Sequence, residues 1–179
     1  MPRHAQIEES LLTQHHENLQ KRKGFETGLV VALQGAKADT VVRFIRTPDA
    51  EEGQEAKTIA TDWVLAHASQ VANMLPGGVV ILGMYVLAPT AKFGALESKV
   101  LSVVGVLAKR LPARAEKQAL VLQLPTDSRK PTCRSVTHGV AKLQPAELKT
   151  SHGAVQPECF CCAWDLDVAL RLGRAADGG

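Results

Sequence analysis

Hydrophobic and polar positions along the chain fall into short blocks of differing period. Ile7, Leu11, Leu12, His15 and Leu19 recur at helical spacing between polar flanks, which predicts a short amphipathic helix over residues 7 to about 20. Residues 25–34 (FETGLVVALQ) and 40–47 (TVVRFIRT) are rich in apolar and β-branched side chains around the turn GAKAD, so they read as a hairpin. PDAEEGQEAK (48–57) is acidic, carries Pro and Gly, and reads as a surface loop. The clearest helix is 61–75, which Thr61 or Asp62 can cap, with Trp63, Val64, His67, Val71, Met74 and Leu75 on its apolar face.

Pro76, Gly77 and Gly78 end that helix and reverse the chain, a turn expected to place at least one glycine at positive φ. VVILGMYVL (79–87) shows too little alternation for a half-exposed strand and reads as a central strand covered on both faces. A second helix follows over about 92–110, with Phe93, Leu96, Val100, Val103, Val104 and Leu107 as its stripe. Residues 118–125 and 133–137 read as strands, and 138–157 as a long loop. In 159–172, Phe160, Cys162, Trp164, Leu166, Val168 and Leu170 alternate against Asp165 and Asp167, which predicts a last strand. The implied fold class is α/β: a central mixed sheet with helices packed on it. Residues 1–24 read as an N-terminal helical segment, 25–172 as the main domain and 173–179 as a frayed tail.

Length and composition narrow the classes. The 179 residues fit one domain and can bury a real core, and 45% apolar residues place the chain among globular proteins. A formal charge of +3, without basic residues interleaved with aromatics, gives no nucleic-acid surface. The N-terminus lacks the apolar run of a secretory signal, and no stretch reaches the roughly 20 apolar residues of a membrane span. Four cysteines, three crowded at 159, 161 and 162, do not form a disulfide framework, so a reducing, cytoplasmic setting is expected.

Candidate chemistry is sparse. On a helix His15 and His16 point about 100° apart and share a metal poorly. His67 has no His or Glu partner four residues on, so a core histidine is favoured over a ligand. Cys161 and Cys162 point to opposite strand faces and lack a second pair, so buried thiols are favoured over zinc. Asp165 and Asp167 share a face, as an acid–base pair requires, but a solvated outer face is favoured, given their alternation with apolar residues. No phosphate-binding glycine motif is present.

The hairpin, the loop and WVLAHASQVANMLPGGVVILGMYVLAP together resemble the MPN fold, which includes zinc-dependent JAMM isopeptidases and inactive relatives. Active members hold zinc on a His-x-His and an Asp, with a Glu as general base. Laid ungapped on this chain, that motif puts Val86 and Ala88 at the histidine positions and Lys99 at the aspartate. Glu26 falls near the base position. The resemblance therefore implies a shell with no catalytic residue, metal or cofactor.

Within that fold, Arg46-Thr47-Pro48, Trp63 to His67, Gln70-Val71, Met74 to Gly78 and Leu82-Gly83 resemble the odorant-response-abnormal protein four family. The likeness covers most of residues 25–170. It implies a non-catalytic adaptor that supports folding and trafficking of seven-helix receptors and binds the ubiquitin-fold-modifier-specific cysteine protease through its MPN-like region. It also implies a place on the cytosolic face of the endoplasmic reticulum membrane, if this chain is part of a longer anchored protein. Leu65, Ala68 and Val103, at the edges of their helical stripes, are the expected partner contacts. Two other classes stay open: a metal-dependent isopeptidase with displaced ligands such as His138, His152 or Asp165, and a small trafficking module of another fold.

Overall fold

A computed structural model describes residues 4–21, 25–35, 38–49, 58–110, 118–128, 130–140 and 142–152. Two long central strands set the frame: β2 (Glu26–Leu33) and β4 (Val79–Ala88) pair antiparallel. β2 also pairs antiparallel with β3 (Asp39–Arg46), completing the expected hairpin. On its other side β4 pairs parallel with β5 (Gln118–Pro125), which pairs antiparallel with β6 (Thr132–Thr137). The parallel β4–β5 step needs a long crossover, and α3 (Phe93–Arg110) supplies it. The resulting mixed α/β architecture agrees with the pattern of the sequence.

The N-terminal segment departs from that pattern. Residues expected to begin a helix instead form β1 (His4–Glu8), followed by α1 (Glu9–Lys21). In β1, Ala5 and Ile7 alternate with Gln6 and Glu8, and both apolar side chains are fully buried. β1 lies between β3 and β8 (Glu147–Ser151), parallel to both, so this segment is built into the sheet and does not precede it. Five residues with period two are too few to outvote the longer helical pattern behind them, and their partners lie far away in sequence.

The expected 138–157 loop holds two further strands. β7 (Gln144–Pro145) pairs with β6, and β8 pairs with β1. Only Ala146 separates them, and its N–H donates to the Cys133 carbonyl at 3.2 Å. One extended stretch therefore bridges the two edges of the sheet and closes it upon itself. The expected strand 159–172, with Cys159, Cys161, Cys162, Asp165 and Asp167, lies outside the described residues, as does the tail 173–179.

Two apolar layers cover the closed sheet. Alternation along β4 sends Met84, Val86 and Ala88 to the layer under α2 (Thr61–Met74) and α3, and Tyr85 and Leu87 to the layer that takes Leu12 of α1. Helix α2 buries Val64, Ala68 and Val71, while Trp63 is 43% exposed and Met74 82% exposed. The buried stripe is thus rotated away from the expected Trp63–Met74 face and runs through the small Ala68. Ala60 is the N-cap of α2 and makes no side-chain capping bond, so neither Thr61 nor Asp62 has that role. The 3-10 turn ahead of α3 is anchored from a distance: the Asp127 carboxylate accepts from the Thr90 N–H and from its hydroxyl, at 2.6 Å. Those bonds, the hydroxyl's first, hold the Asp127 carboxyl below its usual range.

These positions correct the expected partner contacts and meet the expected turn geometry. Ala68 and Val103 are fully buried in the helix-covered layer and Leu65 is half-buried against it, so Ala68 and Val103 are core and cannot meet a partner. In the turn Pro76-Gly77-Gly78, only Gly78 has positive φ, at 84°, while Gly77 faces open space. The glycine packed hardest is Gly83, where a Cβ would overlap the Leu120 carbonyl oxygen of β5.

Thermal denaturation should therefore rank the glycines. Gly83→Ala is expected to cost on the order of 2–4 kcal/mol through backbone collision in the sheet centre. Gly78→Ala should cost about 1–2 kcal/mol for a left-handed residue with a side chain, and Gly77→Ala should stay within about 0.5 kcal/mol of wild type. Equal losses at Gly77 and Gly83 would contradict this packing. Ala68→Asp and Val103→Asp should each lose on the order of 3–5 kcal/mol, the penalty of a buried unpaired charge, and appear as unfolding by circular dichroism.

Candidate functional site

Glu26 opens β2 and stands directly across from Leu87 of β4. Directly opposed residues of an antiparallel pair share a face, so Glu26 lies on the same side of the sheet as Leu87 and Tyr85. Val86 and Ala88 point to the other side, where both are fully buried beneath the helices. The positions first matched to the metal ligands are therefore on the wrong face of the strand for Glu26. The pair with the same spacing on its own face is Tyr85 and Leu87. The correction is one residue along a strand, which moves the whole set to the opposite side.

The chemistry on Glu26's face is that of a closed polar contact. The Tyr85 hydroxyl donates to Glu26 Oε1 at 2.7 Å, and Arg46 Nε lies 3.4 Å from Oε2. Glu26 is only 7% exposed and Tyr85 is fully buried. Tyr85 fits because Gly28, its partner across the pair, has no side chain: a Cβ there would collide with the phenol ring. Phe44 meets Tyr85 edge-on at 5.7 Å between centroids, and the His15 ring of α1 stacks on Phe44 at 4.2 Å. Both rings hold the phenol in one orientation.

The end of β3 is fastened to the same region. Arg46 reaches onward to Asp49, Nη2 to Oδ2 at 2.8 Å. The Thr47 N–H donates to the Thr27 carbonyl, the Trp63 indole N–H donates to the Pro48 carbonyl at 2.8 Å, and Thr47 Oγ1 lies 3.2 Å from His67 Nδ1. Residues 46–49 are thus tied to β2 and to α2. Loss of solvation lowers the His67 pKa, so the fold favours the neutral ring. That contribution to stability is complete above the ordinary histidine range and fades as pH falls below it.

A zinc site of the kind the MPN resemblance suggests does not fit these residues. Leu87 has no ligand atom, the Tyr85 oxygen already donates to the residue at the base position, and the Lys99 ammonium donates to Thr58 Oγ1 at 2.8 Å. His152 pairs with Glu9 at the start of α1, and His138 lies in the turn after β6. Among the described residues no group of three or more His, Cys, Asp or Glu can hold a metal, and Asp165 lies outside them. Sequence reasoning missed Tyr85 and Arg46. The one signal present was that the chain's single tyrosine stands in the middle of an otherwise apolar strand.

A family model described as "ODR4-like: Odorant response abnormal 4-like" matches residues 28–178. Among curated proteins, "Protein odr-4 homolog" of Gallus gallus is 37% identical over 75 residues, covering 38% of this chain and 17% of that protein. The Homo sapiens protein of the same name is 33% identical over 90 residues, covering 45% of this chain and 20% of that protein. The match thus spans a fifth or less of these relatives' length. Among solved structures, a protein from Desulfitobacterium hafniense determined in solution superposes with a TM-score of 0.50 at 14% identity, over 83% of this chain and 94% of that one. A JAB1/MPN domain protein from Archaeoglobus fulgidus gives a TM-score of 0.42 at 15% identity, over 81% and 97%. The first of these likenesses is one of fold alone. The family model, in contrast, runs from the third residue of β2 to the penultimate residue of the chain, and the chain belongs to the ODR4-like family.

Proposed function

We propose that this domain is a non-catalytic adaptor, an MPN-like shell that acts by pairing with another protein. The observation that carries the reading is the Tyr85–Glu26 contact. A general base needs open access to a positioned water whose proton it can take. Here the carboxylate is only 7% exposed, one of its oxygens accepts a hydrogen bond from the phenol and the other lies beside the Arg46 guanidinium. The side chains around Glu26 hold two strands and the end of β3 together.

The partner in this reading is the MPN-like region of the ubiquitin-fold-modifier-specific cysteine protease, and the clients are seven-helix receptors. The family's association with odorant response supports a trafficking role. Work at the cytosolic face of the endoplasmic reticulum membrane belongs to the same proposal. No helix among the described residues is long and apolar enough to cross a membrane.

Co-purification with that protease, alongside zinc analysis and an isopeptidase assay, tests the reading. Stoichiometric complex formation with no activity sensitive to chelators is expected. One bound zinc per chain together with chelator-sensitive cleavage would overturn it. Tyr85→Phe should lower stability by about 1–3 kcal/mol, because it removes a donor to a buried carboxylate, and should create no isopeptidase activity. Glu26→Gln keeps an acceptor for the phenol and should cost less than Tyr85→Phe in the same denaturant titration. Losses in the reverse order would mean that the Arg46 side of the contact dominates.

A further inference from the structure

The turn Met74-Leu75-Pro76-Gly77-Gly78 borders a feature that the adaptor reading leaves unused. Beside it, a groove of about 170 Å³ runs between the end of α2, the first residues of β4 and the end of α3. Ala72 and Leu75 form one wall and Val79 and Val80 another, and among the described residues Arg110 contributes the only charged side chain in the lining. The groove exists because α2 presents alanines, at 68 and 72, where larger side chains would fill the gap to α3. Leu75, Val79 and Val80 consequently stay half-buried. The volume is well below the roughly 300 Å³ at which small-molecule pockets begin, and it suits one large aliphatic or aromatic side chain.

The charge near the groove selects what accompanies that side chain. The Arg110 guanidinium donates to Ser69 Oγ on α2, which fixes it beside the groove. Among the described residues no carboxylate lines the groove, and the only acid on α2, Asp62, lies in its first turn. An apolar slot with an oriented guanidinium beside it matches an apolar residue followed by a carboxylate.

We propose that this groove is a docking slot for an extended peptide segment of a partner protein, taking a Leu, Ile or Phe side chain with an Asp or Glu within the next two residues. The proposal rests on the adaptor reading for the partner being a polypeptide. Each can fail separately, since zinc-dependent cleavage tests the adaptor reading and peptide binding tests the slot.

The test is a titration of the full 179-residue chain, labelled at its methyl groups, with acetyl-Leu-Asp-amide followed by NMR. Saturable shifts confined to Leu75, Val79, Val80 and Leu107 methyls are expected. Acetyl-Leu-Asn-amide and acetyl-Ala-Asp-amide should each bind about tenfold more weakly, the factor that goes with losing one charge-assisted contact or the apolar anchor. Ala72→Trp, which fills the groove from its exposed side, should abolish the shifts. Arg110→Gln should remove the preference for aspartate over asparagine and leave the leucine preference, so the slot remains testable if Ala72→Trp fails to fold. Undiminished binding to a folded Ala72→Trp variant, or equal binding of the Asp and Asn peptides to wild type, would overturn the proposal. So would tighter binding of octanoate at the same methyls, which would assign the groove to a lipid carboxylate. Concentration-dependent shifts at those methyls without peptide would assign it to a second copy of the chain and likewise overturn the proposal.

Discussion

A strand covered on both faces has no side on which a polar group can stand free, and β4 imposes that constraint on everything around it. From Ile81 to Ala88 every side chain is buried. The α2–α3 layer takes one set and the α1 layer the other. Gly83 lets β5 approach at full sheet spacing, and Gly28 on β2 gives the Tyr85 ring its room. A phenol placed in such a strand must bring its own hydrogen-bond partner, because an unmade bond there costs more than the bond returns. Glu26 is that partner. The polar core of the domain and the engagement of the Glu26 carboxylate are consequently the same fact, seen once as packing and once as chemistry.

The same contact reaches the surface. Glu26 engages Arg46, Arg46 engages Asp49, and Pro48 accepts the Trp63 indole proton on α2. Residues 46–49 are tethered at successive positions on both sides, so the three residues that follow β3 keep one conformation. Trp63 remains 43% exposed although its N–H is satisfied, which gives α2 an ordered aromatic surface instead of a loose one. An indole already fixed in place loses little freedom on meeting a partner.

Most of the frame was legible in the sequence because its signals are local. The helix 61–74, the helix 93–110 and the strands 26–33, 39–46, 79–88, 118–125 and 132–137 all announce themselves within ten or so residues by period, glycine or proline. β1, β7 and β8 did not. They are short, carry polar residues such as Gln6, Glu147 and Lys149, and exist only through partners far along the chain. The candidate site was legible in kind but not in register. Both faces of β4 are apolar, so no alternation marks which residues look toward Glu26, and Val86 and Ala88 could not be told from Tyr85 and Leu87. Helix α2 misled for a related reason: the Trp63 and Met74 side chains outweigh Ala68 in any hydrophobic pattern, yet close packing against α3 selects the smaller one.

The stretch from Gln144 to Ser151, which joins the two edges of the sheet, also sets an order of events during synthesis. β1 leaves the ribosome first and can pair with β3 as soon as that hairpin arm appears, Ala5 against Asp39. Its other edge has to wait for β8, where His4 meets Glu147. Until β8 emerges the nascent domain therefore carries an unsatisfied strand edge that can template the wrong pairing. Pairing with β8 removes it, and a chain that stops before β8 keeps that edge as a lasting liability.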